Sequence, residues 1–425
     1  MRNKRMLAVL LSAAMCTGLF AVNAQAADEE EVTLTFGFWG DDAEAQMKMR
    51  LAEAYMEEHP NVKIEYEYCS GADYLTKIQT WFSSDETPDV FGISNDHLIA
   101  FEDSELFEDL TSYIEEDNLQ DLWDYDSVKE NYTIDNGRLT AVPFVSKTFA
   151  IAYNKDLFDQ AGIEYPTSDW TEEDMLDAAE KISALGDDIY GIRWGVRVPE
   201  FYRGLYGDMY YNFEDKTMNV TDNDSFKHAV TMFSDSILNG LAPDETSGTI
   251  STGGFETGSY GMALSATWDI ATYEDSIGDS FAWDVVELPM STEYNTRWKT
   301  TLRANGWSMS ANAENKDVCW DFMKFLSTSE TAAQEASTIG IPTLKSYIES
   351  DEYMNDYGDG TAYNKQVFIN MLEDTVPLYN LGAFAEVNDL AKSDYESILA
   401  GSMTVDEMIS DLDTQGSSIF ASYGD

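Results

Sequence analysis

The sequence predicts an α/β protein organised as more than one lobe, and three observations predict it. The chain has 425 residues, more than one compact core ordinarily organises. Strand-like and helix-like segments alternate through its first third. The composition, 44% apolar and 13% aromatic, supplies globular cores, with no low-complexity stretch and no repeat of ~20–50 residues.

Residues 1–26 stand outside that alternation. Arg2, Lys4 and Arg5 make a basic start, residues 6–22 are apolar, and Ala24-Gln25-Ala26 is a small-x-small cleavage sequence. This is the pattern of a secretory signal peptide, so export and a mature chain from residue 27 are expected. Cys16 leaves a lipid-anchored form open, although Met15 is larger than the residue a lipoprotein signal prefers before its cysteine. No later run reaches ~18 apolar residues, so the mature chain is expected to have no membrane span.

The first strand is read over residues 32–39, rich in β-branched and aromatic types, and Gly40 with Asp41 and Asp42 turns the chain into a helix. That helix places Met47, Leu51, Ala54 and Tyr55 on one face and stops at Pro60. Alternation predicts a second strand over 62–68, a helix over 74–82, and a short buried strand over 88–93. A β-α-β-α-β order implies a mainly parallel sheet covered by helices, with a ligand crevice beyond the carboxyl ends of the strands. Those ends carry 39–41 and 94–97. Further on, residues 138–143 read as a strand crossing between lobes and 149–153 as another strand. Thr171 with Asp174 resembles a capping box opening a helix through Leu185, and later helices fit 225–239, 317–327, 366–372 and 405–413.

Charge and side-chain inventory exclude several function classes. Three basic residues leave with the leader, taking the formal charge from −54 to −57. Such a surface repels nucleic acid and anionic membrane, and otherwise serves solubility. Cys69 and Cys319 are the cysteines of the mature chain and could be two buried thiols or one disulfide. With only three histidines in the chain and no zinc-ligand spacing, neither a metal centre nor a cofactor is expected.

A series of segments, in order along the mature chain, resembles the extracellular solute-binding proteins of carbohydrate ABC transporters, the group that includes maltodextrin-binding proteins. The segments are Pro88-Asp89-Val90, Leu139-Thr-Ala-Val-Pro143, Tyr153-Asn-Lys-Asp-Leu-Phe158 with Ala161-Gly162, and Asp169-Trp170-Thr171-Glu172-Glu173. Phe255 through Met262 to Trp268, Trp320 with 322–326, Gly340-Ile-Pro342 and Gly401 to Glu407 complete the series. Each motif is weak alone, Tyr153 to Phe158 being the most specific, and their common order carries the resemblance.

The resemblance implies a two-lobed periplasmic-binding-protein type II fold (Venus flytrap) with a hinge of several crossings. The first lobe would take 27–142 and 305–342, and the second 143–304 and 343–425. It implies a mono- or oligosaccharide ligand, no catalysis, ABC transporter permease subunits as partners, and a monomer. Closure would follow because the ligand touches both lobes only when they meet.

Sugar rings present apolar C–H faces to aromatic rings and hydroxyls to planar polar groups, so a site needs both kinds interleaved at loops. Trp268 stands six residues after Met262, the family's spacing for a sugar-stacking tryptophan. Trp39 and Asp41 follow the first strand, Asn95 and Asp96 the third, with His97 beside them. Ser146 and Lys147 follow the crossing at Pro143. Lys147 departs from maltodextrin binders, which carry an acidic ligand contact there. Arg197, Tyr202 and Arg203 lie in a dense aromatic and basic stretch, with Phe384 a further candidate. Arg303, Asn305 and Gly306 sit at the second crossing, where glycine permits close backbone approach, and Trp307 reads as core. Every one of these has a plain structural alternative, as helix cap, core aromatic or solvated charge.

Seven arginines remain after the leader, and five of them (193, 197, 203, 297 and 303) fall in or beside these loops. They point to an acidic ligand or to salt bridges with the abundant carboxylates, and the abundance favours salt bridges. As for rival functions, the sequence has no GxSxG, P-loop or GxGxxG pattern, and 79 acidic residues make carboxylate pairs uninformative about glycoside hydrolysis. Sugar phosphate is the non-saccharide ligand that the arginines leave open, and no repeat supports an adhesin.

Overall fold

Two sheets, one in each half of the molecule, organise the computed structural model, which describes residues 31–40, 42–84, 86–101, 104–134, 137–245, 254–355, 363–376 and 382–423. The leader with Cys16, and Asp41, lie outside the described residues.

The first strand, β1 (Val32–Trp39), buries Leu34, Phe36 and Phe38 on one face, against Met47, Leu51 and Tyr55 of the helix Asp42–Glu58. Its other face needs Gly37, because a Cβ there would stand 2.7 Å from the Trp81 ring. The parallel neighbour β2 (Val62–Cys69) runs in register from Val32↔Val62 to Trp39↔Cys69, and β3 (Val90–Ser94) pairs on the other side. Asp89 fixes that side: its carboxylate accepts from both the backbone N–H and the hydroxyl of Thr35 at 2.8 Å. The proline-aspartate start of β3 is therefore a lock between strands.

The chain then passes β4 (Val142–Lys147) and β5 (Phe149–Asn154), separated by Thr148 alone. Next come β6 (Tyr190–Arg193), the hairpin β7 (Tyr211–Asn212) and β8 (Thr217–Met218), β9 (Tyr260–Ala266) and β10 (Trp283–Val286). A second hairpin, β11 (Met290–Ser291) and β12 (Thr296–Arg297), precedes β13 (Thr300–Thr301) and β14 (Arg303–Met309), which Leu302 alone separates. Short strands β15 (Ile341–Pro342) and β16 (Thr375–Val376) follow.

The large sheet has the order β15-β4-β14-β3-β1-β2, and a second sheet the order β10-β5-β9-β6. Only β1–β2, β1–β3 and β6–β9 are parallel within these two sheets, while β14 runs antiparallel to β3 and β4. The mainly parallel sheet expected from the sequence thus holds for its first three strands. Strands that return from the other half enter the sheet in the opposite sense, which a reading of local β-α-β order cannot register.

Two large cores match the two sheets. One draws on residues 34–145 and 304–336, the other on 149–298 and 371–420. The crossing expected over 138–143 lies further on, at Thr148, because 142–147 still pair within the first sheet. Pro143, lacking an N–H, pairs with Gly306 beside an irregularity in its own strand, where Phe144 is the extra residue between Pro143 and Val145 and a missing donor is tolerated.

The motif Tyr153 to Phe158 has a local cause: Asn154 caps the helix Lys155–Ala161 by accepting from the Leu157 N–H at 3.2 Å, and Gly162 closes it at φ +67°. Thr171 and Asp174 form the reciprocal capping box of the helix Glu172–Ser183, aspartate doing what glutamate usually does. Both Cys69 and Cys319 are free, and burial pushes the Cys319 thiol up to about 12. No described helix is long and apolar enough to cross a membrane.

Candidate ligand cleft

Side chains alternate along a strand, so the paired hinge strands β4 and β14 present two different faces. Lys147 pairs with Arg303 in one rung, and Ser146 with Ala304 in the next. The Lys147 and Arg303 side chains come together at Trp268. Its ring lies 5.6 Å from Lys147 Nζ, 5.7 Å from the Arg303 guanidinium and 5.8 Å from that of Arg197, and the Phe149 ring meets it edge-on at 5.4 Å. Trp268 is half-buried. It stands in a single 3-10 turn after β9, which Asp269 holds by accepting from the Ala266 N–H at 2.8 Å.

Every cation of this group has a carboxylate. Arg197 pairs with Asp269 at 2.8 Å, Arg303 with Glu200 at 2.9 Å, and Lys147 with Glu44 at 3.8 Å. Glu44 also meets Lys48 at 3.0 Å, and Lys48 Nζ donates to the Trp39 carbonyl at 2.6 Å while lying 4.3 Å above the Trp39 ring. A continuous row of contacts therefore runs from Trp39 in one half to Trp268 in the other. Outside the group, Arg193 pairs with Glu245 and Arg297 with Asp374. Arg193, Arg197, Arg297 and Arg303 are thus bound in ion pairs, as the salt-bridge reading expected.

On the N-terminal side, the Trp39 ring rests over Gly92, where a Cβ would stand 2.7 Å from it, and packs against Tyr74 at 4.9 Å and His97 at 6.2 Å. Asp96 accepts from the Ser94 hydroxyl at 2.5 Å. Nδ1 of His97 is buried without a hydrogen-bond partner among the described residues.

Other candidates lie elsewhere. Asn95 and Ser146 face the opposite side of the hinge ribbon, where they line a cavity of about 790 Å³. Tyr202 is 1% exposed and packs with Phe226 and Tyr395 in the second core, so its aromatic loop position was a core position. Arg203 sits beside it, its carbonyl accepting from the Tyr210 N–H. Phe384 is core as well, against Tyr211, Phe213 and Phe420. Asn305 and Gly306 are buried inside β14, and a Cβ at Gly306 would stand 2.5 Å from the Val142 carbonyl. Their glycine serves strand packing. Trp307 is core, as read from the sequence.

The sequence reading missed Glu44, Lys48, Glu200 and Asp269. The Glu44 and Lys48 spacing of four in a helix was a readable signal; Glu200 and Asp269 carried none. Among the described residues no cluster could hold a metal ion.

The family model for "Bacterial extracellular solute-binding protein" matches residues 41–333. A maltotriose-binding protein of Pyrococcus abyssi is 27% identical over 335 residues, 75% of this chain and 69% of that one. A putative binding protein of Brucella abortus is 24% identical over 408 residues, 91% of this chain and 93% of the relative. Among solved structures, an ABC substrate-binding protein of Listeria monocytogenes in complex with cycloalternan superposes with a TM-score of 0.77 at 23% identity, covering 92% of this chain and all of that one. The sugar-binding protein MalE of Xanthomonas citri gives 0.77 at 20% identity, covering 92% of this chain and 98% of its own.

Proposed function

We propose a function from one premise: the chain belongs to the bacterial extracellular solute-binding protein family. It binds a neutral oligosaccharide outside the cytoplasm, closes its two lobes on it and delivers it to an ABC importer, with no catalysis. Trp268 stacks on the apolar face of a sugar ring, and Arg197, Arg303, Lys147 and their carboxylates receive hydroxyls. Trp39 and Asp96 meet the ligand from the other lobe, and Asp41 after the first strand joins them.

The observation that supports a neutral ligand is the charge balance around Trp268. Each cation there already faces a carboxylate, so a ligand anion would have to displace Glu200, Asp269 or Glu44. Ligand hydroxyls can instead insert between paired charges, donating to one partner and accepting from the other. The relatives named for maltotriose, cycloalternan and sugar binding agree with a saccharide. The chain acts as a monomer, and the leader is cleaved after Ala26 rather than lipidated at Cys16.

A thermal-shift screen of residues 27–425 tests the reading, with maltotriose and other neutral oligosaccharides, uronate oligosaccharides and sugar phosphates as probes. A ligand at 100 times its Kd should add ~2.7 kcal/mol of stability. Stabilisation by a neutral sugar supports the reading, stabilisation by uronates alone overturns its charge argument, and stabilisation by no saccharide overturns it altogether. Mass spectrometry of the exported protein reads its N-terminus directly.

A further inference from the structure

We propose that the side-chain amide of Asn95 is a positioning residue that fixes Leu302 as the pivot of lobe closure. This rests on closure as the working motion, given above. Leu302 is the single residue between β13, which pairs with β16 in the C-terminal half, and β14, which belongs to the N-terminal sheet. Its two backbone groups are divided between the halves. The N–H reaches the Val376 carbonyl at 3.5 Å, while the carbonyl accepts from Asn95 Nδ2 at 3.2 Å.

Asn95 does more than hold one carbonyl. Its Oδ1 accepts from the Ala304 N–H at 3.1 Å, so one carboxamide joins the carbonyl of Leu302 and the N–H two residues on. Those are the groups a neighbouring strand would engage. The last backbone rung between β3 and β14 is Ser94 with Asn305, and Asn95 follows Ser94 directly. The side chain therefore extends the ladder past the end of β3 and stops where the chain leaves for the other half. Asn131 Oδ1 takes a second bond from Asn95 Nδ2 at 3.0 Å, and Asn131 in turn donates to the Ser127 carbonyl at 2.8 Å. With both N–H groups committed, the amide has only one satisfied orientation.

The neighbouring crossing is held differently. The Thr148 hydroxyl donates to the Phe368 carbonyl at 3.1 Å and its own carbonyl accepts from the Thr267 N–H at 3.1 Å, so Thr148 is tied to the C-terminal half. Leu302 alone of these two crossing residues is shared. The Asn95 side borders the 790 Å³ cavity, whose far wall is Leu372, Thr375 and Val376 of the other half. Rotation at Leu302 can change that space while the amide stays with the N-terminal sheet. Without the amide, the bend would spread into Arg303 and Ala304 and carry the Arg303 guanidinium away from Trp268.

The test measures the distance distribution between spin labels on the two lobes, at Lys63→Cys and Lys181→Cys in a Cys69→Ser background, Cys319 being buried. Asn95→Ala should broaden the ligand-free distribution and lower Tm by no more than about 2–4 °C. The dissociation rate of a bound neutral oligosaccharide should rise by about fivefold or more. Asn131→Ala should act in the same direction and more weakly, and it carries the test if Asn95→Ala does not fold. Asn95→Asp keeps the acceptor for the Ala304 N–H and loses the donor, so it should fall between wild type and Asn95→Ala. An unchanged distribution in folded Asn95→Ala or Asn131→Ala overturns the proposal. If the wild type binds no saccharide, the functional reading fails, while the ligand-free distribution still decides the role of Asn95.

Discussion

The two faces of the hinge ribbon are built from different chemistry. On the face of Lys147 and Arg303, side chains from both halves meet as paired full charges around one indole ring. On the face of Ser146 and Ala304, neutral amides are fully bonded and stand beside a cavity. Ion pairs between partly exposed side chains tolerate changes of partner at modest cost, which would suit the ligand surface proposed there. A fully bonded amide has one orientation and suits a part that must stay still. The contrast suggests a ribbon whose ionic face rearranges and whose amide face holds position.

Removing the centre of the ionic face should have the largest effect. Trp268→Ala takes away the ring on which three cations and Phe149 converge. It should cost about 2 kcal/mol or more of saccharide binding, on the order of 30-fold, with little loss of stability because the ring is half-buried. Calorimetry on a saccharide found by screening reads this, and an unchanged Kd would remove Trp268 from the site. Next in size is Glu200→Gln, which leaves the Arg303 guanidinium without its counter-charge. It should shift preference toward a uronate oligosaccharide over its neutral analogue by about tenfold, through the added positive field. If the ratio of the two dissociation constants does not move, the charge balance around Trp268 does not set ligand charge. Smaller again is Gly92→Ala, whose new Cβ would press on the Trp39 ring from 2.7 Å. A loss of roughly threefold to tenfold in affinity would place Trp39 in the site, and unaltered affinity in a folded variant would leave it as packing.

Sequence legibility divides along the same ribbon. The strands β1 to β3 and the helix cap at Thr171 were readable because each rests on local spacing, while the segment holding Asn154 and the position of Trp268 came from motifs in order, the cap made by Asn154 being visible only in the structure. Lys147 and Arg303 were found as residues beside a crossing, yet nothing local told that they share a face while Ser146 lies on the other. That follows from register across β4 and β14, set by partners more than 150 positions apart in the chain. Asn95 was read as a ligand contact for the same reason: its loop position is right, and only the tertiary partners Leu302 and Ala304 show that its polar groups are already used. Tyr202 and Phe384 show the limit of composition, since aromatic density marks a core as readily as a sugar site.

A third kind of charged contact, enclosed within one half, sets a pH dependence apart from both faces. Glu172 is 7% exposed and opens the helix Glu172–Ser183; it accepts from Tyr206, from the Trp298 indole and from His228 at 2.7 Å. The hydrogen bond to Glu172 is the largest influence on His228 and raises its pKa above 6.5, against the opposing effect of burial. Burial works against ionisation of Glu172, but the bonds from His228, Tyr206 and Trp298 outweigh it and lower its pKa below 4.5. A raised histidine stabilises the fold fully below its unfolded value and loses that contribution as pH climbs through the folded value. A lowered glutamate contributes above its unfolded value and loses it as pH falls through the folded one. The pair is therefore fully effective from about pH 4.5 to 6.5, and stability should decline as pH rises beyond that window. Because His228 is partly exposed, solvent screening keeps the effect to a Tm decrease on the order of 1–3 °C between pH 6 and pH 9. His228→Gln should flatten this slope while keeping a donor to Glu172. Equal slopes in the two proteins would assign the decline to the repulsion of a surface carrying a charge of −57 once the leader's three basic residues are removed from −54.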